Sequence, residues 1–292
     1  MINTIKDILD DLKDIKVLVV GETIIDEYQY GYTLGKAGKF PIVAFKNEHK
    51  EIYHGGVKAI ENHLRDFCNV DVYTGENVIV KKRYIEKDQK LFETYDTKFV
   101  SHGYKGDKPI PRYEDYDVVI VADFGHGFIT EDMRLDLATK SNYLALNCQH
   151  NAGNMGMNTI NKYIYADYVS IDKLELRLAN SDQFGDIEDV MRSAFQTIQT
   201  ASVTLGEEGS KIYKNDEIIN SPSMTSNVTD SVGAGDAYLA ITSLLAYKDL
   251  PAEEIGFIGN CAGAIACSYQ GNKEYITKEK LLDFIEDRIW TH

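Results

Sequence analysis

Asp230-Ser231-Val232-Gly233-Ala234-Gly235-Asp236 runs directly into Ala237-Tyr238-Leu239-Ala240-Ile241-Thr242-Ser243-Leu244-Leu245. From Ala237 the apolar residues fall at Ala237, Ala240, Ile241, Leu244 and Leu245, the spacing of one helical face. Gly-Ala-Gly therefore predicts the turn that enters a helix, with Asp236 in its first turn. Small residues there let backbone approach a ligand closely, and the free N–H groups of a helix start attract anions. A carboxylate beside such a cradle is electrostatically awkward unless it handles a proton or a metal. The pattern points to phosphoryl transfer, with Asp236 as base and the amides of Gly233, Ala234 and Gly235 as anion hole. The plainer alternative is an acid that simply favours the positive helix end.

Working outward, Lys16-Val17-Leu18-Val19-Val20 and Asp117-Val118-Val119-Ile120-Val121-Ala122 are continuous apolar runs, typical of buried parallel strands. Asn142–Leu146 and Asp167–Ile171 predict further short strands. Residues 2–14 have the pattern of an amphipathic helix, with Ile5, Leu9 and Leu12 on one face. His54-Gly55-Gly56 predicts the start of a helix running to Phe67, and Asp249-x-Pro251 the start of another over 252–268. Val78–Ile85 and Lys90–Tyr95 flank a polar turn at Glu86–Gln89 and predict a hairpin. Strand alternation puts Lys81 and Arg83 on one face of it and Lys82 on the other. Asp26 follows the first strand, where open α/β sheets place their ligands.

Composition limits the function classes. The 292 residues are 43% hydrophobic, enough for a sizeable core, and carry a net charge of −15. That charge argues against a nucleic-acid or anionic-membrane partner, and requires any site for an anionic nucleotide to be locally positive or to use Mg²⁺. Cys68, Cys148, Cys261 and Cys267 lack paired metal spacing, and the seven histidines are scattered with no metal-type cluster. Reduced thiols, the absence of a signal-peptide core and the lack of a long apolar run lead to the expectation of a cytoplasmic protein. No Gly-x-x-x-x-Gly-Lys-Ser/Thr loop is present, which excludes a P-loop kinase.

The string at 230–236 resembles the Asp-Thr-x-Gly-Ala-Gly-Asp signature of the ribokinase-like, or PfkB, carbohydrate kinases, with Ser231 in place of Thr. Val19–Gly31 is similar to the opening of the heptose 7-phosphate kinase branch. This resemblance implies one ribokinase-like three-layer α/β domain over 1–292, with a mostly parallel central sheet and a small β lid at about 31–50 and 78–98. It implies an ATP- and Mg²⁺-dependent kinase acting on a sugar or sugar phosphate, a heptose 7-phosphate-like one being favoured. Asp26, Gly55, Gly56 and Asp123 would meet the sugar, and Lys81 and Arg83 a substrate phosphate. Thr204, Gly206 and Gly209 match the nucleotide-side turn, Asn260 the residue near the adenine pocket, and Asp172 and Glu175 the metal-organising element. A homodimer through the lid is also allowed, and in the heptose branch a nucleotidyltransferase domain often follows.

Three positions depart from the family pattern. Ala59 stands where a sugar-contacting Asn is expected, Asn147 opens a stretch where many relatives have Asp-Pro, and Asp172 replaces Asn. Two other readings therefore stay open: a catalytically weak nucleotide- or sugar-binding protein, and an ATP-dependent enzyme of this fold acting on a non-sugar.

Overall fold

The computed structural model describes residues 2–76, 78–97, 109–225 and 227–290. Lys98, the last residue of the expected lid, lies outside them. After helix α1 (Ile2–Asp10), strand β1 (Lys16–Gly21) lies inside an eight-stranded sheet. It pairs in parallel with β4 (Asn69–Tyr73) on one side and β7 (Val118–Asp123) on the other. Strands β8 (Leu144–Cys148), β9 (Tyr168–Asp172) and β10 (Thr200–Thr204) continue the parallel set. The antiparallel strands β11 (Ser210–Lys214) and β12 (Glu217–Ser221) close the far edge.

The apolar runs are explained by burial on both faces. Val17, Val19, Val118 and Ile120 enter one core, with residues of α1, α2 (Val57–Leu64), α6 (Ala234–Tyr247), α7 (Ala252–Cys267) and α8 (Lys278–Trp290). Leu18, Val20, Val119 and Val121 enter the other, with α3 (Glu131–Lys140), α4 (Lys173–Asn180) and α5 (Ile187–Ala194). The result is the expected three-layer ribokinase-like fold, with the carboxyl ends of β1, β7, β8, β9 and β10 along one edge.

A second sheet has the order β3-β2-β5-β6, built from β2 (Thr23–Lys36), β3 (Val43–Gly56), β5 (Ile79–Glu86) and β6 (Gln89–Asp96). The predicted hairpin is β5–β6, turning through Lys87 and Asp88 at positive φ, the geometry that matches strand twist in a two-residue turn. The β2–β5 pairing is parallel, so this lid sheet is mixed.

Three local expectations are corrected. His54, Gly55 and Gly56 end strand β3, and the helix begins only at Val57 and stops at Leu64. Asp26 lies within β2, not in a loop past a strand end. Helix α6 has no exposed face: every residue from Asp236 to Ala246 is buried, because α2, α7 and the sheet surround it. An all-round apolar helix belongs in a core.

Candidate active site

Gly233 is the N-cap of α6 at φ 86°, a backbone conformation that disfavours side chains. A Cβ there would also strike the Asn272 side-chain oxygen. The first intrahelical bond runs from the Ala237 N–H to the Gly233 carbonyl, so helix geometry leaves the preceding N–H groups of Gly235 and Asp236 open. The Ala234 N–H instead donates to the Ser231 carbonyl at 3.3 Å, so the cradle is narrower than Gly233–Gly235. The space over Gly235 is clear of other atoms for 4 Å.

Asp236 is buried at this helix start. Burial, then the Asp26 carboxylate, push its carboxyl up to about 7, with Lys81 pulling the other way. An ordinary aspartate near 3.9 is a poor proton acceptor for an alcohol, whereas a group near 7 is well matched to the task. Lys81, also buried, lies under the influence of Asp26 and Asp236 together. Asp26 is ion-paired with Arg83, which also reaches Glu93 at 3.5 Å. Gly55 leaves room for this arrangement, since a Cβ there would collide with Asp26. Asp26, Gly55, Lys81, Arg83 and Asp236 thus form one neighbourhood under the lid.

Gly56 and Asp123 are both tightly held by the surrounding scaffold. Gly56, at φ 60°, packs on the Glu22 carbonyl at the strand-to-helix turn. Asp123 is buried, accepting from the Tyr163 hydroxyl at 2.7 Å and the Gly125 N–H at 3.0 Å, with the Lys162 ammonium at 2.6 Å. Beside it the buried Glu22 accepts from the Phe124 and His126 N–H groups, each at 3.0 Å. Burial first, then the Asp123 charge, push Glu22 up to about 7.

On the other side of Asp236 opens a cleft of about 730 Å³, lined by Thr204, Gly206, Gly209, Asn260 and the start of α6. That is the volume range of small-molecule sites. Asn260 spends its side-chain N–H groups on Ser221 and Pro222, so it fixes the cleft wall as a satisfied core amide. Among the described lining residues Lys173 is the one cation, against Asp172, Glu175, Glu207, Glu208 and Asp236. A polyanion entering here meets a mostly acidic wall, whose charge a bound cation would offset.

Asp172 and Glu175 make a reciprocal cap on α4, each side chain accepting the other's N–H, at 2.7 and 2.8 Å. His150 completes the group: one ligand atom from each of His150, Asp172 and Glu175 lies within 4.8 Å of the others. This corrects the expectation that no histidine joins a metal-type cluster. The donor set suits a divalent cation. The Glu175 carboxylate raises the pKa of the His150 imidazole.

Sequence reasoning also missed Asp230 as a junction. Its carboxylate accepts from the Tyr28 hydroxyl at 2.9 Å, Lys90 at 2.6 Å, the Val232 N–H at 3.1 Å and the Gly271 N–H at 3.2 Å. Asp230 opens the motif at 230–236, but its partners lie up to 202 residues away in the chain.

Residues 135–278 match the model of the pfkB family of carbohydrate kinases. The chain is 24% identical to the bifunctional protein HldE of Syntrophotalea carbinolica, an alignment covering 94% of this chain and 64% of that relative. It thus spans just under two thirds of the curated relative's length. Among solved structures, ribokinase from Thermotoga maritima superposes with a TM-score of 0.73 at 14% identity, covering 93% of this chain and 99% of the other. Arabidopsis thaliana ribokinase, solved with ribose and ATP, gives 0.70 at 13%, covering 94% and 99%.

Proposed function

We propose, on the match of residues 135–278 to the pfkB family of carbohydrate kinases, that this chain transfers the γ-phosphoryl group of ATP to a hydroxyl of a sugar phosphate resembling heptose 7-phosphate. The observation that carries the reading is Asp236: buried in the first turn of α6, between the cleft and the lid, with its carboxyl near 7. The nucleotide occupies the cleft along Thr204–Gly209, and the sugar lies under the lid against Asp26. A sugar hydroxyl attacks the phosphoryl group in line, and Asp236 takes its proton late in a loose transition state. The Gly235 and Asp236 N–H groups, aligned with the helix dipole, hold charge on the transferred group, with Lys81 as the nearest buried cation.

Mg²⁺ bound by Asp172 and Glu175 would offset charge on the phosphates. The inward Lys81 and Arg83 favour a substrate that already carries a phosphate. Self-association through the lid belongs to the same proposal: Leu34, Phe40, Ile42 and Val43 stand exposed on it, apolar area that a second copy would cover.

The test is ADP release across a panel of sugars and sugar phosphates. Release that depends on a phosphorylated sugar is expected; ATP binding with no sugar-dependent release would favour the weak-binder alternative.

A further inference from the structure

Two residues that line the cleft, Asp172 and Glu175, meet a third side chain, His150, from a separate segment. His150 lies two residues past the end of β8, Asp172 ends β9, and Glu175 is in the first turn of α4. One ligand atom from each lies within 4.8 Å of the others. The orientation of the group is fixed by backbone. Glu175 accepts the Asp172 N–H at 2.8 Å and the His150 N–H at 3.2 Å, while Asp172 accepts the Glu175 N–H at 2.7 Å. A carboxylate has about four acceptor positions, so these bonds aim both groups and leave lone pairs for a cation.

The imidazole is the informative member. His150 Nδ1 is closed off from water and makes no hydrogen bond among the described residues. It faces Glu175 Oε1 at 3.5 Å. Buried ring nitrogens are ordinarily partnered, and an imidazole clustered with two carboxylates has the surroundings of a metal ligand.

We propose that His150, Asp172 and Glu175 form a site for a divalent transition metal of the Mn²⁺ class, bound directly through the imidazole nitrogen. Mg²⁺ is hard, prefers oxygen donors and gives up its waters reluctantly, so a nitrogen donor adds little to its affinity. Imidazole suits the later first-row ions, whose affinities for nitrogen donors rise along the series from Mn²⁺. The site therefore ranks Mn²⁺ above Mg²⁺. The inference rests on the kinase reading only for the metal's task beside the nucleotide; the binding stands without it.

The experiment uses Mn²⁺ alone, titrated into the nucleotide-free protein and followed by electron paramagnetic resonance. Bound Mn²⁺ is expected to show nitrogen-14 modulation in the electron spin echo, and competition is expected to rank Mn²⁺ above Mg²⁺. His150→Gln should abolish the modulation and weaken Mn²⁺ at least about tenfold, while Mg²⁺ changes less than about threefold. Circular dichroism and thermal melting establish that the variant is folded. Absence of nitrogen modulation in the wild type overturns the proposal by itself, whatever the variant does. So does modulation that persists in His150→Gln, or equal weakening of both metals, which would leave His150 as the partner of Glu175. Because the readout needs no turnover, it fails separately from ADP release.

Discussion

The Arg83 guanidinium on β5 is ion-paired with the Asp26 carboxylate on the neighbouring strand β2, and both side chains are almost wholly buried. The two are out of direct register: Asp26 stands opposite Lys81, and Arg83 opposite Tyr28. Arg83 therefore reaches back along the sheet, over the Tyr28 ring, to find its partner. The charges of Asp26 and Arg83 therefore offset each other before any ligand arrives.

Arg83→Ala is therefore expected to raise KM for a phosphorylated sugar about ten- to a hundredfold, the loss of one charge-assisted contact of roughly 1.5–3 kcal/mol. Lys82, on the opposite strand face and only half-buried, should be replaceable by Ala with almost no effect. Steady-state kinetics on the pair measures the difference. Equal, small effects would mean that Arg83 serves Asp26 alone.

Asp236→Asn should abolish turnover by at least about a hundredfold while ATP still binds, since the amide keeps the shape but takes no proton. The sign of the pH dependence follows from its position near 7. The base works ionised, so kcat/KM should be flat above about pH 8 and fall tenfold per unit well below 7. A profile flat down to pH 5 would remove Asp236 from that role.

Gly235 separates chemistry from folding. A methyl group there meets open space, and Gly→Ala within a helix changes stability by about 1 kcal/mol at most. Gly235→Ala should therefore melt near the wild-type temperature yet lose at least about tenfold in ADP release, by crowding the anion cradle. Gly233→Ala should lose both, because of its positive φ and the Asn272 oxygen. Melting curves beside activity distinguish the two.

Glu22 gives a stability prediction. Folded, it holds its proton up to about pH 7; unfolded, it releases it near 4.5, as an ordinary glutamate does. The linked stability is complete below about 4.5 and is lost as pH rises through 7. Glu22→Gln should lower the melting temperature by weakening its bonds to the 124–126 backbone, and should flatten its decline between pH 5 and 8. An unchanged slope would assign that decline to other groups.

Nucleotide affinity should fall sharply when divalent metal is removed, since Lys173 is the one cation among the described cleft residues. Calorimetry of ATP binding with and without EDTA decides this. Equal affinities would mean that the acidic wall is bridged some other way.

What could be read from the sequence was whatever short-range pattern encodes. The entry into α6 depends on seven consecutive residues, and the doubly buried strands on their own unbroken apolar runs. The apolar run stops at Gly21 and says nothing of a strand at Asp26; the strand that carries it is held by pairing with β3 and β5, which no local pattern reports. Asp123 carries a sheet-edge motif, but its partners Lys162 and Tyr163 lie about 40 positions on and turn it inward. His150 gave no signal, because its cluster with Asp172 and Glu175 exists only in space.

The four-fold engagement of Asp230 has a consequence for how the protein is made. The turn that leads into α6 is tied at once to Tyr28 and Lys90, synthesised long before it, and to Gly271, synthesised after it. A nascent chain that has just exposed Gly233–Asp236 still lacks the last of these anchors. The full set of bonds that hold this turn is therefore available only when translation has passed Gly271 and the lid hairpin has docked.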